Sequence, residues 1–130
     1  MKIYSILLII FLFGIHLHSQ QPVEVSEQVA QAVRLGNAEL LSTFFGASVD
    51  ITLIKTEGTY SRTQAMLIMK DFFTRYPPSG FEIKHQGSSD NGSQYMIGNY
   101  TSGNATYRTY ILLKKVAEAF IIQQIRFEEE

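Results

Sequence analysis

Four consecutive stretches with the character of β-strands, between residues 79 and 127, constrain the fold of this chain more than any other feature. The first, residues 81–85, alternates apolar and polar side chains, as a strand with one buried face does. The connections are short, and one contains Asn91-Gly92, a pair that tolerates positive φ and favours a hairpin. Because a parallel connection needs a dozen residues or more, short connections predict a four-stranded antiparallel meander.

Three helices are predicted before these strands. The clearest begins at Ser61, which forms a capping box with Gln64, and Pro77-Pro78 prevents its continuation. An amphipathic helix is predicted over residues 23–35, and a shorter one follows Asn37. The apolar face of the shorter helix is Leu40, Leu41, Phe44 and Phe45. Helices combined with an antiparallel sheet indicate an α+β domain.

The first nineteen residues have the composition of a signal peptide. Lys2 precedes an apolar block over residues 6–13, and cleavage is predicted between Ser19 and Gln20. The block is shorter than the about 20 residues of a membrane-spanning helix, so no stable span is expected after cleavage; an uncleaved anchor is the alternative. Residues 20–130 then form a single exported domain, periplasmic or secreted, with a modest core.

The composition excludes several classes of function. The chain has no cysteine, which rules out disulfides, thiol catalysis and cysteine metal sites. Removal of Lys2 with the signal takes the net charge from −1 to −2, which gives no reason to expect nucleic-acid binding. No cofactor is predicted, and no metal site, because no second histidine or carboxylate lies at ligand spacing from His85.

Several blocks of sequence resemble one known family. They are GNAELLSTFF at residues 36–45, QA at 64–65 with KDFF at 70–73, HQG at 85–87 after Phe81, YMIG at 95–98 and YRTY at 107–110. The chain resembles, over residues 25–127, the uncharacterised secreted bacterial family, mostly of the Bacteroidetes, labelled domain of unknown function 4783. The resemblance implies the nuclear transport factor 2-like (cystatin-like) fold, a curved antiparallel sheet packed on three helices around a cone-shaped pocket. It also implies export. It points to no particular activity, because the family has none assigned.

The candidate pocket residues are His85, Tyr95, Tyr107 and Tyr60. His85 is the one histidine that remains after cleavage, and it shares a strand face with Phe81 and Ile83, so we expect it on the concave side of the sheet. It is interpreted as a hydrogen-bonded core or pocket residue, with a general base as the alternative. The tyrosines are expected to line a pocket or to form core and dimer contacts.

Asp50 bears on the enzymatic alternative. Val49, Ile51 and Leu53 alternate with polar residues and predict a strand, followed by a turn at Glu57-Gly58. Ketosteroid isomerases, which share the fold implied by the resemblance, carry a catalytic aspartate on the equivalent strand. Here Ile51 takes that position, and a one-residue offset places Asp50 on the opposite face. Asp50 is therefore predicted to be solvated or salt-bridged.

Two functions are compatible with these patterns. The first is an exported non-catalytic binding or interaction module, with no catalytic residue assigned. Its ligand is unidentified, and a small molecule is the candidate. The alternative is a small isomerase- or hydrolase-like enzyme that uses the pocket histidine and a tyrosine. A pocket filled by Met69, Phe72 and Phe73 favours the module, whereas an open pocket with His85 bonded to a tyrosine favours the enzyme.

A homodimer through the outer face of the sheet is also predicted. The last two strands carry apolar residues on both faces, whereas a sheet with one face in water shows cleaner alternation. One set is Tyr107, Ile111 and Leu113, and the other is Tyr110, Leu112, Phe120 and Ile122. In the last strand Ile121, Ile125 and Phe127 are expected to share a face.

Overall fold

The computed structural model describes residues 24–130 and contains three helices and six strands in that range. In chain order they are α1 (Val25–Leu35), α2 (Ala38–Ser42), β1 (Phe45–Leu53), β2 (Thr56–Ser61), α3 (Arg62–Arg75), β3 (Gly80–Ser88), β4 (Gln94–Ser102), β5 (Ala105–Val116) and β6 (Ala119–Glu129). The predicted signal peptide, residues 1–19, lies outside this range. No helix within residues 24–130 is long and apolar enough to cross a membrane.

The six strands form one curved sheet in the order β2-β1-β6-β5-β4-β3. The predicted meander is confirmed, because β3, β4, β5 and β6 pair antiparallel with their neighbours in sequence. The hairpin β1–β2 joins this meander through a parallel pair between β1 and β6. This contact between the first and last strands is non-local, and no turn signal in the sequence specifies it.

The helices cover one face of the sheet, which we call the inner face. The core between them contains Met69, Phe72 and Phe73 of α3, together with inward side chains of β4, β5 and β6. Aromatic rings dominate it: the Phe72 ring centroid lies 4.6 Å from that of Phe127 and 5.6 Å from that of Tyr100. Met69, Phe72 and Phe73 therefore fill the space between the helices and the sheet.

The ends of α3 follow local chemistry, as predicted. The Ser61 hydroxyl accepts a hydrogen bond from the Gln64 amide at 3.3 Å, and the helix ends at Arg75, before Pro77. The α2 prediction was wrong at its end, since Phe45 begins β1. Phe45 lies opposite Ile122 of β6, so pairing in the sheet outweighs the helical pattern that included it.

The turn between β1 and β2 lies at Ile54 and Lys55, not at Glu57-Gly58 as predicted. Ile54 has φ +52°, in the left-handed region that β-branched residues rarely adopt. An isoleucine at this position therefore gives no signal of a turn in the sequence. The Ile54 amide donates a hydrogen bond of 2.8 Å to the Phe127 carbonyl, which fixes the turn against β6.

Two β-bulges decide which side chains reach the inner face. In β3, Ile83 lies opposite Gly98 and His85 lies opposite Ile97, so Lys84 is the extra residue. In β6, Gln123 is the extra residue, because Leu112 lies opposite Gln124 and Leu113 opposite Ile122. Ile122 is therefore fully buried on the inner face, and the prediction that placed Ile121 there, with Ile122 on the outer face, was wrong.

Candidate ligand-binding groove

The structure does not bring the four predicted pocket residues together. Tyr107 is buried in the aromatic core of the inner face, with its ring 5.6 Å from that of Tyr76. Tyr60 is half-buried on β2, near the edge of the sheet. His85 and Tyr95 lie on the outer face, on the paired strands β3 and β4.

The prediction that His85 faces the concave side is wrong. Phe81 and Ile83 do face the helices, opposite Tyr100 and Gly98, but the bulge at Lys84 reverses the alternation before His85. His85 is consequently exposed. The sequence carried one signal for this irregularity, a glycine within a strand. A Cβ added at Gly98 would lie 2.5 Å from the Glu82 carbonyl oxygen, so the two backbones approach too closely for any side chain.

Ionisable phenols in the core are held in their neutral form. Burial raises the pKa of Tyr100 well above its usual range, and the neighbouring Tyr107 adds to the effect. The Tyr100 hydroxyl donates a hydrogen bond to the Tyr76 carbonyl oxygen. Burial also raises the pKa of Tyr107, with smaller contributions from Tyr76 and Glu129. These side chains therefore act as packing and hydrogen-bonding groups at neutral pH.

An open groove lies between α3 and the β1–β2 hairpin, with a volume of about 540 Å³. This volume falls within the roughly 300–1,000 Å³ of small-molecule sites. The apolar part of its lining comprises Leu53, Ile54, Tyr60, Leu67, Ile68, Phe72 and Tyr76. Its charged lining residues are Lys55, Asp71 and Arg75. Of the four predicted pocket residues, Tyr60 alone lines this groove.

Two adjacent rows of side chains on α3 form one wall. The first row is Ile68, Phe72 and Tyr76, the residue after the end of α3, and its members recur every four residues. Phe72 is buried and the other two are half-buried, so this row connects the groove with the core. The second row begins with Leu67, whose side chain is 55% exposed and continues the apolar surface outward. The sequence-based prediction of the pocket did not include Leu67, although a leucine next to the core-facing row of a helix is a signal for an apolar surface there.

At the hairpin wall of the groove, the Tyr60 ring packs against Gly58. A Cβ added there would lie 2.7 Å from the Tyr60 hydroxyl oxygen, so the Tyr60 ring lies over the glycine. Both residues are on the face of β2 that points toward α3, because Gly58 is opposite the buried Ile51 and Tyr60 is opposite the buried Val49. The Tyr60 ring therefore crosses Gly58 on the side of β2 that lines the groove.

Charged groups lie at the rim of the groove. Asp71 Oδ2 accepts from Arg75 Nε at 3.1 Å, an exposed pair one helical turn apart that contributes no more than a few tenths of a kcal/mol to stability. Lys55 is exposed in the hairpin turn and forms no ion pair with a carboxylate in the described part of the chain.

Asp50 is placed as predicted, on the outer face and in contact with solvent. It accepts a hydrogen bond of 2.6 Å from the Thr59 hydroxyl on the paired strand. Among residues 24–130, no group of three or more histidine, aspartate or glutamate side chains is arranged to bind a metal ion.

Comparison with known proteins identifies the family. The pattern of the family "Domain of unknown function (DUF4783)" matches residues 26–128. A crystal structure of a DUF4783 protein from Bacteroides uniformis is 27% identical, with a TM-score of 0.78, over 82% of this chain and 98% of that one. One from Bacteroides ovatus is 30% identical, with a TM-score of 0.76, over 85% and 98% of the two chains.

More distant structures share the fold alone. A domain of unknown function with a cystatin-like fold from Nostoc punctiforme is 13% identical, with a TM-score of 0.64, over 81% of this chain and 72% of that one. No protein with a curated description matches the sequence. The match over residues 26–128 and the agreement of fold show that the chain belongs to the DUF4783 family and has the nuclear transport factor 2-like fold.

Proposed function

We propose that this protein is a non-catalytic binding module whose ligand occupies the groove between α3 and the β1–β2 hairpin. The observation that carries the proposal is the open, largely apolar groove of about 540 Å³ beside an inner face that aromatic side chains already fill. The isomerase- or hydrolase-like alternative needs His85 and a tyrosine hydroxyl in one pocket. Tyr107 lies in the core, and His85, although on the outer face with Tyr95, forms no hydrogen bond with it in the described part of the chain, which favours the module.

The groove has the physical character of a ligand site. Its floor is continuous with the core through Phe72, and its rim exposes Leu67 to water. Removing apolar surface from water contributes about 25 cal/mol per Å², so a ligand that covers this surface gains affinity without rearrangement of the core. The floor is preformed, because Phe72 is fixed by the rings of Tyr76 and Phe127 at 5.3 and 4.6 Å.

The test uses N-phenyl-1-naphthylamine, an uncharged probe that fluoresces in apolar sites. The parent protein should bind it saturably. Leu67→Gln should abolish or strongly weaken this binding, whereas Leu35→Gln should not, because both leucines are exposed on helices, by 55% and 60%, but only Leu67 lines the groove. Absence of saturable binding, or equal loss in both variants, would refute the proposal. Native mass spectrometry of protein purified from its own cells would then identify a retained ligand.

Export to the periplasm or the medium is part of the proposal. It is supported by Lys2 and the apolar block over residues 6–13, which lie before the described residues. A domain without cysteine reaches an oxidising compartment without risk of incorrect disulfides.

We also propose that two copies associate through the outer face of the sheet. Ile97 lies opposite Tyr110, and Tyr95 lies opposite Leu112, which forms an apolar and aromatic patch across β4 and β5. Tyr95 is 38% exposed, although the other three are half-buried within the monomer. A two-fold axis through this patch would pair it with itself.

Sedimentation over a micromolar concentration range tests the dimer. Leu112→Glu should give a monomer, because it places a charge at the centre of the patch. Val116→Glu, at the end of the same strand and 49% exposed, should leave the dimer intact. A monomeric parent at all concentrations would overturn this proposal without affecting the groove.

A further inference from the structure

The charged rim of the groove has an excess of positive charge. Lys55, Asp71 and Arg75 are its charged lining residues, so cations outnumber carboxylates. Asp71 is engaged by Arg75 through Nε. A guanidinium has five N–H donors, so its terminal amino groups remain for another acceptor.

The position of Lys55 is set by the backbone of its turn. The hydrogen bond from the Ile54 amide to the Phe127 carbonyl ties this turn to β6, the strand beside β1. Ile54 holds φ +52° and also lines the groove. Backbone in sparsely populated conformations persists where the surrounding structure enforces it, often at ligand clamps. The turn therefore holds the Lys55 backbone at one end of the groove.

The C-terminus of α3 disfavours an anion at the rim, whereas the cationic side chains favour one, and the contribution of the C-terminus is small. A helix C-terminus carries partial negative charge, which disfavours a nearby anion. Here the Tyr76 carbonyl accepts the Tyr100 hydroxyl, and Arg75 adds a full positive charge in the last turn. With Asp71 paired to Arg75, the three charged lining residues leave a net charge of +1 at the rim.

We infer that the groove binds a small amphipathic molecule with a single negative group. Its apolar chain or ring lies along Ile68, Phe72 and Tyr76, and its carboxylate or equivalent anion lies at the rim, where Lys55 and Arg75 donate to it. This inference rests on the proposed function of the groove and names the chemistry of its ligand.

Laurate and dodecanol distinguish the two parts of the inference, because they share an apolar chain and differ in the charge of the head group. Each is titrated against the protein saturated with N-phenyl-1-naphthylamine. Lys55→Gln should weaken laurate binding about five- to ten-fold, the range of a charge-assisted contact at a partly exposed site, and leave dodecanol binding within about two-fold. Arg75→Gln should act in the same direction. Lys115→Gln, which removes an exposed cation outside the groove, should change neither ligand.

The outcomes separate this inference from the proposed function. If Lys55→Gln and Arg75→Gln change laurate and dodecanol binding equally, or change neither, the anionic head group is wrong and the groove remains a site for uncharged ligands. If neither ligand displaces the probe from the parent protein and Leu67→Gln has no effect on the probe, the groove is not a binding site and both proposals fail. Circular dichroism of each variant confirms that it folds.

Discussion

Truncation of Phe72 to alanine tests how α3 is held against the sheet. Phe72 is 3% exposed and contacts five other rings. The ring centroids are 4.6 Å away for Phe127, 5.3 Å for Tyr76, 5.6 Å for Tyr100, 5.9 Å for Phe73 and 6.4 Å for Tyr107. No other side chain of α3 has ring contacts on so many elements.

The expected loss follows from three contributions. Burial of a phenylalanine side chain contributes about 1.5–3 kcal/mol, and well-placed aromatic pairs add about 0.5–1.5 kcal/mol each beyond area. The cavity left by truncation raises the total to about 3–5 kcal/mol in protein cores. Because Phe72 also borders the groove, water reaches part of the space, and we expect the lower end, about 3 kcal/mol. A domain of this size has about 5–15 kcal/mol in all.

Urea denaturation monitored by circular dichroism measures this loss. Leu67→Ala is the matched control: it is on the same helix but 55% exposed, so we expect a loss of about 0.5 kcal/mol. A loss below about 1 kcal/mol for Phe72→Ala, at an unchanged denaturant slope, would show that this face of α3 does not pack on the sheet.

Three further predictions concern pH, a bulge and export. Burial raises the pKa of Tyr100 above the ordinary tyrosine pKa of about 10. Its contribution to the free energy of unfolding is therefore complete below pH about 10 and is lost as pH rises above that value. Tyr100→Phe should make the free energy of unfolding, measured in urea, fall less steeply at alkaline pH. An unchanged slope would contradict this. Gly98→Ala should lower the free energy of unfolding by about 1–3 kcal/mol or more in thermal or urea unfolding, because its Cβ would lie 2.5 Å from a backbone oxygen. Gly80→Ala is the control and should be tolerated, because its Cβ meets nothing within 4 Å. Equal effects of the two substitutions would contradict the close approach at Gly98. N-terminal sequencing of the exported protein should begin at Gln20, and a chain that still begins at Met1 would indicate an uncleaved anchor.

The sequence by itself determined the elements whose signals are local. The start and end of α3 were predicted because Ser61 caps the first amide groups and Pro77 prevents another turn, and both effects act within a few residues. The hairpin between β3 and β4 was predicted from Asn91-Gly92, which is also a local signal. Gly92 adopts φ +83° in its loop. These elements, in their order along the chain, were sufficient for the fold class.

The tertiary structure decided which strands meet and which face each side chain takes. The parallel pair of β1 with β6 joins distant segments, and it draws Phe45 into a strand against its helical pattern. Alternation of side chains predicts a face only as far as the next bulge, and a bulge depends on the fit between neighbouring strands. Close contact at Gly98 accompanies the bulge at Lys84, which moves His85 to the outer face. The groove likewise depends on the tertiary structure: its two walls, the β1–β2 hairpin and α3, follow each other in the sequence, but the space between them depends on how α3 packs on the sheet.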